Sequence, residues 1–196
     1  MTLKPPTSTV ALKEWAVAVD ALAAGRQIIV MRKGGIHRED KDFRMVHPEF
    51  LLFPTFLHQK AELVKPEYHA DLERTLEDDD VPGLVTLGKW CELTDVFELR
   101  DQATLGLLSP FHIWTDDYAV KRLYWRPKYP LTVALLRVYE LQQPQAVPIL
   151  DEYEGCKSWV PLGQDVPLGY MKPVLGDEEY AQRAERIKET LAAVEV

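Results

Sequence analysis

Residues 131–141 constrain the fold of this chain more than any other segment. Their apolar side chains form two sets on opposite sides of an extended chain: Leu131, Val133, Leu135 and Tyr139 on one, and Ala134, Leu136 and Val138 on the other. Successive residues of a strand point to opposite faces of a sheet, so a strand that is apolar on both sides must be covered on both faces. The segment therefore predicts the centre of a sheet that has a packed layer on each side.

Further strands are predicted where short apolar or β-branched runs end in turn signals. The clearest of them are residues 27–32, residues 50–53 between two prolines, and residues 84–97 with an interruption at Gly88. The weaker candidates are residues 43–46 and residues 147–150. Residues 159–162 are expected to anchor a region rich in proline and glycine onto the core.

Helices are predicted where apolar residues recur with the period of a helix next to capping signals. The expected helices are residues 10–24 with Gly25 as a left-handed cap, residues 55–60, a helix that begins near Pro66, residues 116–127 with Thr115 as N-cap, and a final helix from Asp177. We interpret the acidic residues 77–80 as a solvated loop.

These elements predict an α+β fold with a mixed or largely antiparallel sheet of about five to six strands flanked by helices, and a barrel is the alternative. A length of 196 residues suits one large domain. We divide the chain into an N-terminal extension (residues 1–9), a single α+β domain (10–175) and a C-terminal helix packed on it (176–196). That last helix is a candidate surface for a protein partner, and the oligomeric state stays open.

Composition limits the function classes. The net charge of −8 argues against a protein that coats nucleic acid with its whole surface, but it permits a local basic patch. Cys91 and Cys156 fit neither a disulfide framework nor a paired metal site, so we expect reduced thiols. Residues 1–9 do not resemble a signal peptide and no apolar run approaches the roughly 20 residues of a membrane span, so we expect a cytoplasmic protein.

The strongest functional signal is the basic and aromatic segment of residues 121–129, which holds four cations and no acid. Its candidate nucleic-acid-binding residues are Lys121, Arg122, Trp125, Arg126 and Lys128. Guanidinium groups bind phosphates through paired hydrogen bonds, and aromatic rings stack on unpaired bases. A purely structural role stays open, because cations in the last turn of a helix also complement its dipole.

A second cationic segment follows the strand predicted at residues 27–32. Arg32, Lys33, Gly34 and Gly35 could bind an anion, since two glycines leave backbone amides accessible beside two cations. The spacing matches no phosphate-loop or dinucleotide motif, so an ordinary hairpin turn is the alternative.

The third set consists of His47, Glu49 and His58, which flank the apolar run of residues 50–53. Imidazole and carboxylate groups could perform acid–base catalysis, although we favour a structural role, since histidines beside short buried strands often form hydrogen bonds to the backbone. The sequence carries no zinc-binding spacing and no nucleophile elbow, so we expect neither a metal nor a cofactor and favour binding over catalysis.

Several segments resemble a bacterial family known as domain of unknown function 1802. They are ALKEW (residues 11–15), RKGGI (32–36), HPEFLLFPT (47–55) with HQ (58–59), YWRP (124–127) and LLRVY (135–139). The resemblance covers most of residues 11–150 and implies no activity, cofactor or catalytic residue. It implies an association of some members with restriction-endonuclease-like domains, and hence with nucleic acid.

The order of helix, Gly25, short strand and Arg32 is also similar to the start of ASCH and related PUA-like barrels, which handle RNA or modified bases. This resemblance implies a partly closed PUA-like barrel. Those domains usually have an acidic residue two positions before the arginine, whereas this chain has Val30.

The leading hypothesis is therefore a nucleic-acid-associated recognition or accessory module, linked to restriction or defence systems. The alternatives are a small-molecule or nucleotide-processing enzyme with a pocket of His, Glu and Arg side chains, and a protein-interaction scaffold.

Overall fold

The strand at residues 131–148 lies inside the sheet, with a paired strand on each side, as its two apolar faces predict, although it is second in the strand order and not at the centre. The computed structural model describes residues 4–33, 45–77, 81–153, 155 and 157–193. Its strands are β1 (Thr7–Trp15), β2 (Ile29–Arg32), β3 (Glu49–Thr55), β4 (Leu84–Leu99), β5 (Leu131–Pro148), β6 (Trp159–Pro167) and β7 (Met171–Pro173). Its helices are α1 (Ala16–Ala23), α2 (His69–Glu77), α3 (Gln102–Leu107), α4 (Asp116–Tyr124) and α5 (Asp177–Ala192).

The sheet is mixed and largely antiparallel, which confirms the predicted fold class. Six strands follow the order β2-β5-β4-β3-β1-β6, and β7 pairs with β5 outside this path. Only the β1–β3 pair is parallel among the strand pairs of the described residues. The long β4–β5 ribbon shifts register between Leu87 and Lys89, which confirms the interruption expected at Gly88.

The sheet is open but strongly curved. Within the described residues β2 and β6 lie at the two ends of the strand order. Three strands separate β1 from β2 in that order, yet the Glu14 carboxylate of β1 lies 3.7 Å from the Arg32 Nε of β2. The sheet must therefore curl until the ends of β1 and β2 face each other, so the structure has the curvature of a barrel without its closure.

Both faces of β5 are covered, by different layers. Leu131, Val133 and Leu135 pack in a core cluster to which all five helices contribute. Ala134, Leu136 and Val138 pack on the opposite face, in a cluster that includes residues of α1 and β3. A third cluster surrounds Trp90 and contains Tyr139, which the sequence assigned to the first set.

Both termini of the described chain are tied to the core. Strand β1 begins at Thr7, and the Lys4 amino group lies 2.6 Å from the Glu92 carboxylate and over the Tyr139 ring at 3.5 Å. Helix α5 buries its apolar side in the first cluster through Tyr180, Ala184, Ile187 and Leu191. A protein partner of this helix would therefore have to bind its polar side.

The helix predicted for residues 10–24 was wrong in its first half, because residues 10–15 belong to β1. Ala11 packs in the cluster around Trp90, and Leu12 packs in the cluster on the other side of the sheet. Because β1 is covered on both faces, apolar residues occupy consecutive positions, and this pattern imitates the period of a helix. The expected cap is confirmed, since Gly25 has φ +65° after α1.

The helix predicted for residues 55–60 was also wrong. Thr55 remains in β3 and pairs with Trp15, and its hydroxyl donates to the Glu14 carbonyl oxygen. His58 has φ +66°, a left-handed conformation that no helix can include. The strand expected at residues 147–150 is the end of β5 and stops at Pro148. Part of residues 43–46 lies outside the described residues.

Candidate nucleic-acid interface

Helix α4 begins as the sequence predicts. The Thr115 hydroxyl accepts a hydrogen bond from the Tyr118 backbone amide at 3.3 Å, and Asp116 and Asp117 occupy the first turn. Such a cap satisfies an amide that the helix itself leaves free. The helix ends at Tyr124 and not near Pro127, because Arg126 adopts φ +55°. Residues 125–130 therefore lie outside the helix, in bends and a turn.

The candidate surface on this helix and turn is called the α4 strip, and it consists of Lys121, Arg122, Trp125, Arg126 and Lys128. Trp125 is 43% exposed, which is unusual for an indole. The Arg126 guanidinium lies 4.8 Å from the centroid of the Trp125 ring, in cation–π contact. Lys121 and Lys128 are exposed, and neither forms a salt bridge with any described residue.

Arg122 links this strip to the interior. One of its terminal nitrogens donates to the Tyr118 hydroxyl, and its guanidinium lies 5.6 Å from the centre of that ring. Tyr118 and Arg122 thus share one face of α4, whereas Arg126 lies beyond the end of the helix. The Nε atom of Arg122 is buried and has no hydrogen-bond acceptor among the described residues.

Lys33 fastens the turn of the strip to the end of β2. Its amino group donates to the Leu123 carbonyl oxygen and to the Tyr129 carbonyl oxygen, the latter at 2.7 Å. Burial lowers the pKa of Lys33, and the nearby Arg100 lowers it further. The buried cation thereby satisfies a carbonyl at the negative end of α4. Gly34 and Gly35 lie outside the described residues.

Arg32 belongs to the cationic segment predicted at residues 32–35, and it lies next to the α4 strip. It is 9% exposed, and its Nε atom and one terminal nitrogen are buried without a hydrogen-bond acceptor among the described residues. Burial lowers the pKa of Arg32 most strongly and Arg122 lowers it as well, while Glu14 opposes the shift. Arg32, Arg122, Glu14 and Tyr118 thus form one group, which we call the seam cluster because it lies where β1 and β2 face each other.

Glu14 is the member of this cluster that sequence reasoning missed. It is 8% exposed, and one of its carboxylate oxygens accepts a hydrogen bond from the Trp15 amide at 2.9 Å. The neighbouring Trp15 ring stacks on Tyr118 with centroids 5.9 Å apart and packs edge-on against Trp114 at 5.1 Å. An acid between apolar residues of a strand is a signal for a buried charge, but residues 10–15 were interpreted as a helix.

The third predicted set is not brought together. His47 precedes β3 and packs edge-on against Trp159 with centroids 4.8 Å apart. Glu49 begins the strand, and His58 is exposed beyond its end. A strand of seven residues spans roughly 20 Å, so His47 and His58 cannot act on one small substrate here. The described residues contain no group of three or more His, Cys, Asp or Glu side chains that could hold a metal ion.

Two other expectations concern the thiols and the membrane. Cys91 is a free, buried thiol, and burial raises its pKa well above the usual value, with a smaller contribution from Glu92. Cys156 lies outside the described residues. Among the helices of the described residues, none combines the length and the apolar character that crossing a bilayer requires.

Comparisons with known proteins identify the family but not the function. Two solved structures, ASCH from Zymomonas mobilis and a mutant of the same protein, resemble this fold with a TM-score of 0.42 each. The first is 9% identical and aligns over 90% of this chain and 93% of its own, and the second is 10% identical over 93% and 99%. Nothing about function follows from so distant a likeness.

No curated protein matches the chain. The family model for the domain of unknown function DUF1802 matches residues 11–186, which extends the predicted resemblance from residue 150 through most of α5. The chain is thus a member of the DUF1802 family.

Proposed function

We propose that this protein is a nucleic-acid-associated recognition module, an accessory to restriction or defence systems, that binds a single strand across the α4 strip. The observation that carries the proposal is the exposed Trp125 indole in contact with Arg126 and next to Lys121 and Lys128. Aromatic stacking on unpaired bases combined with cations along the backbone is the usual means by which proteins hold single strands.

The strip has no acidic residue of its own, although the whole chain carries a net charge of −8. An acidic body repels nucleic acid in most orientations, so attraction is confined to a surface where cations are concentrated. The carbonyl end of α4 would weaken such a surface, but the Lys33 ammonium group offsets the partial negative charge of the Leu123 carbonyl. The strip is therefore suited to local and oriented binding.

The test is binding of short labelled oligonucleotides, single-stranded and double-stranded, at low salt. The wild-type protein should bind the single strand more tightly, because a base in a duplex cannot stack on Trp125. The double variant Lys121→Glu, Lys128→Glu should lose about tenfold or more in affinity, since two contacts to phosphate become repulsive. The matched control is Lys157→Glu, Lys172→Glu, which changes the net charge equally on exposed residues outside the strip.

Substitution of Trp125 tests the proposal independently of the charged residues. Trp125→Ala should reduce affinity by about 1–3 kcal/mol, the usual contribution of one stacked base, with a smaller change in stability because Trp125 is 43% exposed and belongs to none of the three core clusters of the described residues. Tyr170→Ala is the control, since Tyr170 is 66% exposed and lies outside the strip. No binding of either nucleic acid by the wild type at low salt, or equal losses in strip and control variants, would contradict the proposal.

A further inference from the structure

The seam cluster contains more hydrogen-bond donors than it satisfies. Arg32 has two buried nitrogens and Arg122 has one for which the described residues supply no acceptor. A buried donor without a partner forfeits its hydrogen bonds to water, and the loss is larger for a charged group. Two such arginines, on β2 and α4, therefore indicate an acceptor that lies outside the described residues.

Glu14 does not provide that acceptor. Its free carboxylate oxygen lies 3.7 Å from Arg32 Nε, which is beyond hydrogen-bonding distance, and its other oxygen accepts the Trp15 amide. Its backbone oxygen accepts the Thr55 hydroxyl, so Glu14 is held in place from both sides. The carboxylate can orient Arg32 electrostatically, but the seam cluster holds two guanidinium groups and one carboxylate, which leaves a net charge of one positive unit.

We infer that Arg32 and Arg122, aligned by Glu14, form a binding site for a phosphate group. Guanidinium groups donate in a planar fork that matches phosphate oxygens, and two of them can share one phosphate. A net charge of one positive unit is neutralised by one singly charged phosphate, which favours a phosphodiester over a doubly charged phosphate. Arg122 is partly exposed and belongs to the α4 strip, so the site borders the surface proposed to bind a strand.

Two sources can supply this chemistry: a backbone phosphate of a bound strand, or a free small phosphate. Binding of a backbone phosphate rests on the function proposed above, whereas the existence of a phosphate site does not depend on that function. The seam cluster would then hold one phosphate of the strand while Trp125 stacks on a nearby base. This arrangement would fix the position of the strand relative to the helix, which the exposed lysines alone cannot do.

The experiment compares the wild type with the double variant Glu14→Gln, Arg32→Met, which removes both buried charges together. Replacing a buried ion pair with groups of similar size is often neutral or stabilising, so the ligand-free melting temperature of the variant should equal or exceed that of the wild type. Inorganic phosphate should raise the melting temperature of the wild type, relative to chloride of equal ionic strength, but not that of the variant. Affinity for the oligonucleotide should fall about tenfold or more, the usual effect of losing a charged hydrogen bond.

The control is Lys89→Met, Glu140→Gln, which removes an exposed ion pair between β4 and β5 with a distance of 2.8 Å. It should respond to phosphate and to the oligonucleotide as the wild type does. Equal responses of the wild type and the Glu14→Gln, Arg32→Met variant, or a lower ligand-free melting temperature of that variant, would overturn the inference. If phosphate protects only the wild type while no oligonucleotide binds, the site stands as one for a small phosphate and the proposed function fails.

Discussion

The buried His112 should make this protein lose stability in mild acid. Its ring is 3% exposed, and neither ring nitrogen has a hydrogen-bond partner among the described residues. The pKa of His112 is lowered from 6.5 to about 4, mainly by burial and also by the Lys65 ammonium group, while Asp116 opposes the shift. Lys65 is held nearby, since its amino group donates to the His112 carbonyl oxygen at 2.8 Å.

The sign and size of the effect follow from the two pKa values. Between pH 6.5 and about 4 the unfolded chain binds a proton at this residue and the folded chain does not. Stability contributed by the neutral histidine is therefore complete above pH 6.5 and decreases as the pH falls toward 4. Acidification from about pH 7.5 to about pH 5 should reduce the free energy of unfolding by roughly 2 kcal/mol through this residue alone.

The assay is thermal unfolding of the wild type and of His112→Leu at several pH values. A loss of roughly 2 kcal/mol corresponds to a decrease of about 4–8 °C in the melting temperature of a domain of this size. The variant should lack this part of the acid sensitivity, whereas His58→Asn, which changes an exposed histidine with positive φ, should retain it. Equal acid sensitivity of His112→Leu and the wild type would refute the reasoning.

Two further substitutions test the local structure around α1 and α4. Gly25→Ala should destabilise the protein by about 2–4 kcal/mol in denaturant unfolding, since φ is +65° and the new Cβ would lie 2.5 Å from Leu175 Cδ2. Gly83→Ala should lose only about 1 kcal/mol, because φ is +80° but, apart from its chain neighbours, no atom of the described residues lies within 4 Å of the new Cβ; equal losses would contradict the role of the close approach. Thr115→Ala should remove about 1 kcal/mol by deleting the cap of α4, and an unchanged melting temperature would show that the cap is not needed.

Sequence patterns predicted the elements whose local signals agree with their surroundings. The alternation of residues 131–141 predicted that β5 is an interior strand covered on both faces, and the position of Thr115 identified the cap of α4. Patterns failed where tertiary contacts decide the structure. Residues 10–15 carry an apolar pattern compatible with a helix, but pairing with β3 and β6 makes them a strand. Local spacing contains no information about which strands will flank a segment.

The candidate site, too, could be predicted from local sequence only in part. The cations of the α4 strip and Arg32 could be selected from the sequence because they cluster along the chain. Their convergence could not be predicted, because it depends on the curl of a sheet in which three strands separate β1 from β2. Glu14 and Arg32 are 18 positions apart in the sequence, and the curvature of the sheet brings their side chains together.

The most direct test of the proposed function is the salt dependence of oligonucleotide affinity. Four cations of the α4 strip that contact phosphates should give a slope of about −3 for the logarithm of the association constant against the logarithm of salt concentration. The Lys121→Glu, Lys128→Glu variant should reduce the slope to about half, whereas the Lys157→Glu, Lys172→Glu variant should leave it unchanged. A slope near zero, or one that the strip variant does not alter, would contradict the claim that this surface binds nucleic acid.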